Sequence, residues 1–420
     1  MPRTTHTAAL ALGYADRLVV STARDVHRAV ARRAFGATRR IGGSLPEAVH
    51  DRVADLAYAG VSLGVRGSGR LLERAADRGI GASLEASTTG RYVVSAVNAL
   101  VGSELAERGD RHAIEMAVRV GGRDVEIEAE SLRAAYPRAT DRIAIFLHGL
   151  GENDDSWRLA ERAGSGTYPS RVEDDTDYTP VLIRYNTGLN VSANGELLSA
   201  LVTRLIDAWP VAVSRLAFVG HSMGGLVARS AGSHGVAGGT DWPRLVRQVV
   251  CLGTPHLGAP LEKAVHLGSR ALSVVPETAP FGRILDTRSP GIVDLRHGYI
   301  SREEWSGQDL TRRWGLDRLA AAPLPYADYH FVAATIGNAP GQPASRLFGD
   351  LFVRLPSAHG RSARGGSVVP GALTDHVGGA DHFALLNYPE VAECLVAWFD
   401  ESRSSLPAVP AVPPTTGGDP

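Results

Sequence analysis

Ser222 lies in Gly220-His221-Ser222-Met223-Gly224-Gly225, directly after the apolar run Leu216-Ala217-Phe218-Val219. A serine hydroxyl is a weak nucleophile until a base can reach it, and a sharp strand-to-helix turn projects the side chain clear of its own backbone. Gly220 and Gly224 flank the serine, where a Cβ would collide with a neighbouring strand or helix. The N–H groups of the following helix start can hold negative charge, which makes the Met223 N–H a candidate oxyanion donor. The base must come from a downstream loop that returns to the strand ends, and His382 in Gly379-Ala380-Asp381-His382-Phe383 has that setting. His50, His112, His234 and His297 do not. An orienting acid is expected after the next-to-last long strand, where Asp350 follows Gly349 and precedes an apolar stretch. Asp375, Asp381 and Asp328 stay open as rivals. In the chain order Ser222, Asp350, His382, a nucleophile, an orienting acid and a base would together make a triad able to form a covalent acyl intermediate.

These residues need a scaffold that brings strand ends together. Arg142-Ile143-Ala144-Ile145-Phe146-Leu147 reads as a strand ending in His148-Gly149-Leu150-Gly151, whose glycines let the Leu150 N–H turn toward the spot that Met223 faces. Further strands are expected around 181–185, 216–219, 248–252 and 329–336, separated by helix-length segments, so the sheet is mostly parallel with helices on both faces. Residues 114–128 alternate around Gly121-Gly122, with Met116, Val118 and Val120 on one arm and Val125 and Ile127 on the other, which signals an antiparallel edge hairpin. After His382, Pro389 can open a helix whose Val391, Cys394, Leu395 and Trp398 share a face.

Four blocks make the chain resemble the bacterial triacylglycerol lipase and esterase branch of the α/β-hydrolase superfamily, including lipase-like proteins related to GPI inositol-deacylases. They are Phe146 to Gly151, Gly220 to Gly225, Leu252-Gly253-Thr254-Pro255-His256-Leu257-Gly258-Ala259-Pro260, and Gly349 to Val353. The resemblance covers residues 115 to 403. It implies an α/β-hydrolase fold with a helical cap inserted at about 257–325, the acid from the fourth block, and the histidine loop at Gly379 to Phe383. It also implies a structural hydrogen-bonding role for His256. Arg354 departs from the apolar pattern that family members carry beyond the Gly-Asp pair. Within the cap, Leu267, Leu272, Val274, Val275 and Phe281 are candidates to line an acyl pocket.

The 420 residues, 44% of them apolar, exceed one hydrolase domain. The reading is an N-terminal helical region over 1–112, a hydrolase domain over 113–403 and a Pro- and Gly-rich disordered tail over 404–420. In the first region Leu12, Ala15, Val19, Val26 and Val30 fall near one helical face, Ser44 and Glu47 form a capping box, and Val93, Val97 and Leu100 repeat the pattern. Arg24, Arg28 and Arg32 line up four apart, a stripe that is either solvated or turned to anionic lipid. A net charge of −1 gives no field for nucleic acid. Cys251 and Cys394 read as reduced thiols, and no secretory or membrane-spanning pattern is present, so a cytoplasmic protein is expected, with peripheral membrane contact through the N-terminal helices or cap as a second reading. No cofactor or metal is called for. The expected partner is a lipid or small-molecule ester, the expected activity carboxylic ester hydrolysis. An acyltransferase or thioesterase with the same triad, and a non-catalytic scaffold, are the alternatives.

Overall fold

The computed structural model describes residues 2–15, 63, 67–161, 164–259, 289–301, 323–324, 326–362 and 366–400. Its centre is an eight-stranded sheet in the order β2-β1-β4-β3-β5-β6-β7-β8. The strands are β1 (Ala117–Val120), β2 (Arg123–Val125), β3 (Arg142–Leu147), β4 (Tyr178–Arg184), β5 (Arg215–His221), β6 (Val246–Leu252), β7 (Asp328–Thr335) and β8 (Leu373–Gly378). β1 runs antiparallel to both β2 and β4, and every pairing from β4 to β8 is parallel. The edge hairpin turns at Gly121 and Gly122, with φ of 56° and 76°, the left-handed pair that a two-residue turn between twisted strands requires.

The parallel strands are apolar on both faces because both are covered. Ile143, Ile145 and Leu147 of β3 face one cluster with Phe218, Cys251 and Phe331, and α4 (Val191–Ala208) and α5 (Met223–Ala237) add Leu198, Val202, Leu205, Leu226 and Val227 to it. Ala144 and Phe146 face the other, with Val219, Val250 and Val332, where α3 (Tyr168–Asp175) and α6 (Pro389–Phe399) contribute Val172, Val391, Leu395 and Phe399. In α6, Pro389 occupies the first turn as expected, Cys394 and Trp398 are only half-buried, and Ala392 and Phe399 complete the buried face.

The strands differ from the sequence reading at their ends. β4 begins at Tyr178, β5 runs from Arg215 to His221, β6 begins at Val246, β7 runs from Asp328 to Thr335 with Ile336 exposed beyond it, and β8 is an additional strand. β8 is an edge strand with Leu373 exposed and only Val377 buried, so it lacks an apolar run.

By contacts the chain divides into two compact units. Among described residues the first holds α1 (Thr4–Ala15), a helical stretch over 67–77, and the start of α2 (Thr88–Glu107). There the Arg3 guanidinium donates to the Gly81 carbonyl at 2.7 Å, and Asp77 pairs with Arg111 at 3.1 Å. The second unit holds the sheet together with residues 95–109. Val93 of α2 is exposed, while Val97 and Leu100 are buried together with Val94, Val101 and Leu105. The expected Val19, Val26 and Val30 face, the Ser44 and Glu47 capping box, the Arg24, Arg28 and Arg32 stripe, the tail over 404–420 and most of the 257–325 insertion lie outside the described residues. So do the acyl-pocket candidates Leu267, Leu272, Val274, Val275 and Phe281. Of the insertion, Pro290–His297 is a helix. Among the described residues no helix is long and apolar enough to cross a membrane.

Candidate active site

Parallel register aligns the carboxyl ends of β3, β5, β6 and β7, Leu147 beside Gly220, His221 beside Leu252, and Leu252 beside Val332. The segments that follow these ends carry the residues singled out above. Ser222 is the single residue between β5 and α5, with φ 51° and ψ −117°. Such a conformation costs a non-glycine residue on the order of 1–3 kcal/mol, which the surroundings must offset. They do so through a 2.8 Å bond from the Ser222 N–H to the Leu252 carbonyl and by close packing. A Cβ on Gly224 would run into the Leu147 carbonyl, and one on Gly220 into the Gly225 nitrogen.

Asp350 is 1% exposed in a tight turn after the short helix Pro343–Phe348. Gly349 and Leu351 on either side adopt positive φ, 58° and 84°, and this fold of the chain aims the carboxylate inward. Oδ1 accepts the N–H groups of Phe352 at 2.9 Å and Val353 at 2.7 Å, while Oδ2 lies 2.6 Å from His382 Nδ1. The His382 N–H also donates to the Asp350 carbonyl at 3.1 Å. Arg354 is exposed and leads into the short helix Leu355–Ala358, away from these bonds. Burial pushes the His382 ring down in pKa, but the charge and hydrogen bond of Asp350, helped by Glu152 and Asp381, leave it raised overall. Phe352 lies 5.2 Å from the ring and Phe383 meets it edge-on at 5.7 Å.

The structure therefore brings Asp350 and His382 into contact. Ser222 directly follows His221, whose ring is 4.7 Å from that of His382. Among the described residues no hydrogen bond joins the Ser222 hydroxyl to His382. Such bonds are often long without substrate. The rivals to Asp350 sit elsewhere. Asp375 is exposed on β8, Asp328 begins β7 at the end opposite the carboxyl ends of the strands, and exposed Asp381 accepts the N–H groups of Phe383 and Ala384.

Beyond β3, the Gly149 N–H donates to Glu152 at 2.7 Å and the Gly151 N–H to Thr187 at 3.2 Å. The N–H groups of Leu150 and Met223 are left without an acceptor among the described residues. His148 is fully buried, its Nδ1–H given to the Gly149 carbonyl and its Nε2 accepting from the Tyr185 N–H. Burial pushes its pKa down to about 4, which keeps it neutral. His256 is buried against Phe331 and accepts from Arg229 at 3.1 Å. Cys251 is buried with its thiol pushed up to about 12, and both cysteines are free.

Glu152 was not singled out from the sequence, although it lies within a few residues of the glycine-rich turn. It is 5% exposed, and both carboxylate oxygens lie 3.0 Å from His221 Nδ1. Burial raises its pKa, but the charge and hydrogen bond of His221 and the Gly149 N–H outweigh this and leave it lowered.

Residues 142–279 match the model of a family described as the PGAP1-like alpha/beta domain, a span that takes in β3 to β6 and the Ser222 turn. No curated protein matches the chain. Among solved structures, a Bacillus licheniformis lipase, BlEst2, in mature form is similar at 19% identity and TM-score 0.40, over 61% of this chain and 93% of that one. The product of gene lin2722 from Listeria innocua is similar at 12% identity and TM-score 0.37, over 63% and 96%. Carboxylesterase CesB from Bacillus subtilis is similar at 13% identity and TM-score 0.35, over 63% and 84%. The fold is a mostly parallel eight-stranded sheet with helices on both faces, and the PGAP1-like segment covers its central strands.

Proposed function

We propose that this chain is a serine hydrolase of carboxylic esters with apolar acyl groups, using Ser222 as nucleophile, His382 as base and Asp350 as the orienting acid. The observation that carries the reading is the buried Asp350 carboxylate, bound at 2.6 Å to the ring of His382 while two N–H groups hold its other oxygen. With Nδ1–H committed to Asp350, the His382 Nε2 keeps its lone pair for the Ser222 proton. As the Ser222 oxygen attacks the ester carbonyl, the ring becomes an imidazolium that Asp350 stabilises. The carbonyl oxygen gains charge in the turn where the N–H groups of Leu150 and Met223 have no other acceptor. The imidazolium then protonates the departing alcohol. Water, deprotonated by the same ring, releases the acid. Phe352 and Phe383 beside the ring support an apolar substrate.

The test is Ser222→Ala assayed on short p-nitrophenyl esters, with a fluorophosphonate probe on the parent protein. The expected result is covalent labelling of Ser222 and loss of turnover in the folded variant. Undiminished turnover in Ser222→Ala would overturn the reading.

A further inference from the structure

The residue before the nucleophile is as constrained as the nucleophile itself. His221 has no exposed surface. Its Nδ1 faces both oxygens of Glu152 at 3.0 Å, and its Nε2 faces the His382 carbonyl oxygen at 3.2 Å. A carbonyl only accepts, and so does a carboxylate, so a ring set between the two satisfies both only by carrying a proton on each nitrogen. Glu152 is independently suited to be a carboxylate, since it also accepts the Gly149 N–H at 2.7 Å. The other ionisable rings nearby are His148, which is buried and neutral, and His382, which is bound to Asp350.

We propose that His221 is a buried imidazolium, paired with the Glu152 carboxylate, and that this pair is a positioning device. It fixes the His382 loop and the glycine-rich turn after β3 to the residue adjoining the nucleophile. The proposal rests on the ester hydrolase reading above. Two bonds tie the base to its acid, from the His382 ring to the Asp350 carboxylate and from the His382 N–H to the Asp350 carbonyl. Neither sets the distance between base and serine. The bond from His221 does, because one peptide unit separates His221 from Ser222. The same pair reaches through Glu152 to Gly149, next to the Leu150 N–H.

Replacing His221 alone would strand a buried carboxylate and risk the fold. The comparison is therefore between Glu152→Gln and the double variant Glu152→Gln, His221→Phe. In the first, a glutamine amide donates to a ring made neutral, its oxygen still accepts the Gly149 N–H, and His221 keeps Nε2–H for the His382 carbonyl. In the second, ring volume remains and the donor is gone. The expected result is a further fall in kcat of about 10- to 100-fold in the double variant, the scale on which a small misplacement of a reacting group slows a step. KM and thermal midpoint should stay close to those of Glu152→Gln. Ring ¹⁵N spectra of His221 in the parent protein should show both nitrogens protonated at neutral pH and only one in Glu152→Gln. Equal kcat in the two variants, or a neutral His221 ring in the parent, would overturn the proposal. Failure of the ester reading is seen separately, as turnover that survives Ser222→Ala, and the ring spectra decide the ion pair in that case too.

Discussion

A carboxylate with both oxygens engaged has little freedom to turn, and Asp350 is in that position. Its effect on His382 can be measured. Burial alone would lower the ring's pKa, yet Asp350 leaves it raised, so the neutral base forms only above the ordinary histidine value of about 6.5. The pH profile of kcat/KM should rise with its half-point above about 6.5. Asp350→Asn should move that half-point down and reduce kcat on the order of 10⁴-fold. A parent half-point at or below 6.5 would contradict the assignment. The stability linkage has the opposite sense. A ring whose folded pKa is raised contributes stability that is fully present below about 6.5 and is lost as pH rises through the higher folded value. At this scale, Ser222, Asp350 and His382 stood out because each lies in a distinctive local context of glycine and apolar residues. Asp375 and Asp381 are nearer His382 in sequence, and only the fold shows both to be exposed. Glu152 was not legible, because its partner His221 lies 69 residues further along the chain, at the end of another strand.

At the scale of elements, the approach of β5 and α5 to the end of β3 is set by hydrogen-sized side chains. Gly224 leaves no space for a Cβ before the Leu147 carbonyl, which is backbone and cannot swing aside. Gly224→Ala should force apart the Ser222 turn and the turn bearing Leu150. The expected cost is about 1–3 kcal/mol of stability, together with lost fluorophosphonate labelling. A variant with the parent's denaturation midpoint and labelling rate would show the contact to be softer than it looks. The central strands were readable because burial on both faces writes a continuous apolar run, as in Ile143 to Leu147. The hairpin was readable from Gly121 and Gly122. β8 was not, since an edge strand with one buried position carries too little apolar signal to separate it from a loop.

For the molecule as a whole, the sequence suggested that hydrolase structure begins near residue 113, whereas the contacts group residues 95–109 with the sheet. The reason is polar and could not be seen in an amphipathic pattern. The Asn98 side chain, with no exposure, accepts the Ile114 N–H at 2.9 Å. The Gly102 carbonyl accepts from Asn186 at 2.9 Å, the Ala99 carbonyl from Ser289 at 2.8 Å, and Ser95 from Asn153 at 3.2 Å. Asn186 and Asn153 stand in the segments after β4 and β3, so this half of α2 braces the loops that flank the candidate site. Asn98→Ala would leave a buried N–H without its acceptor, a loss of about 1–3 kcal/mol. It should appear as a lower urea midpoint with an unchanged slope. A midpoint equal to the parent's would mean that residues 95–109 merely lie against the sheet, because a helix segment that truly belongs to the core of that unit cannot lose a buried acceptor without cost.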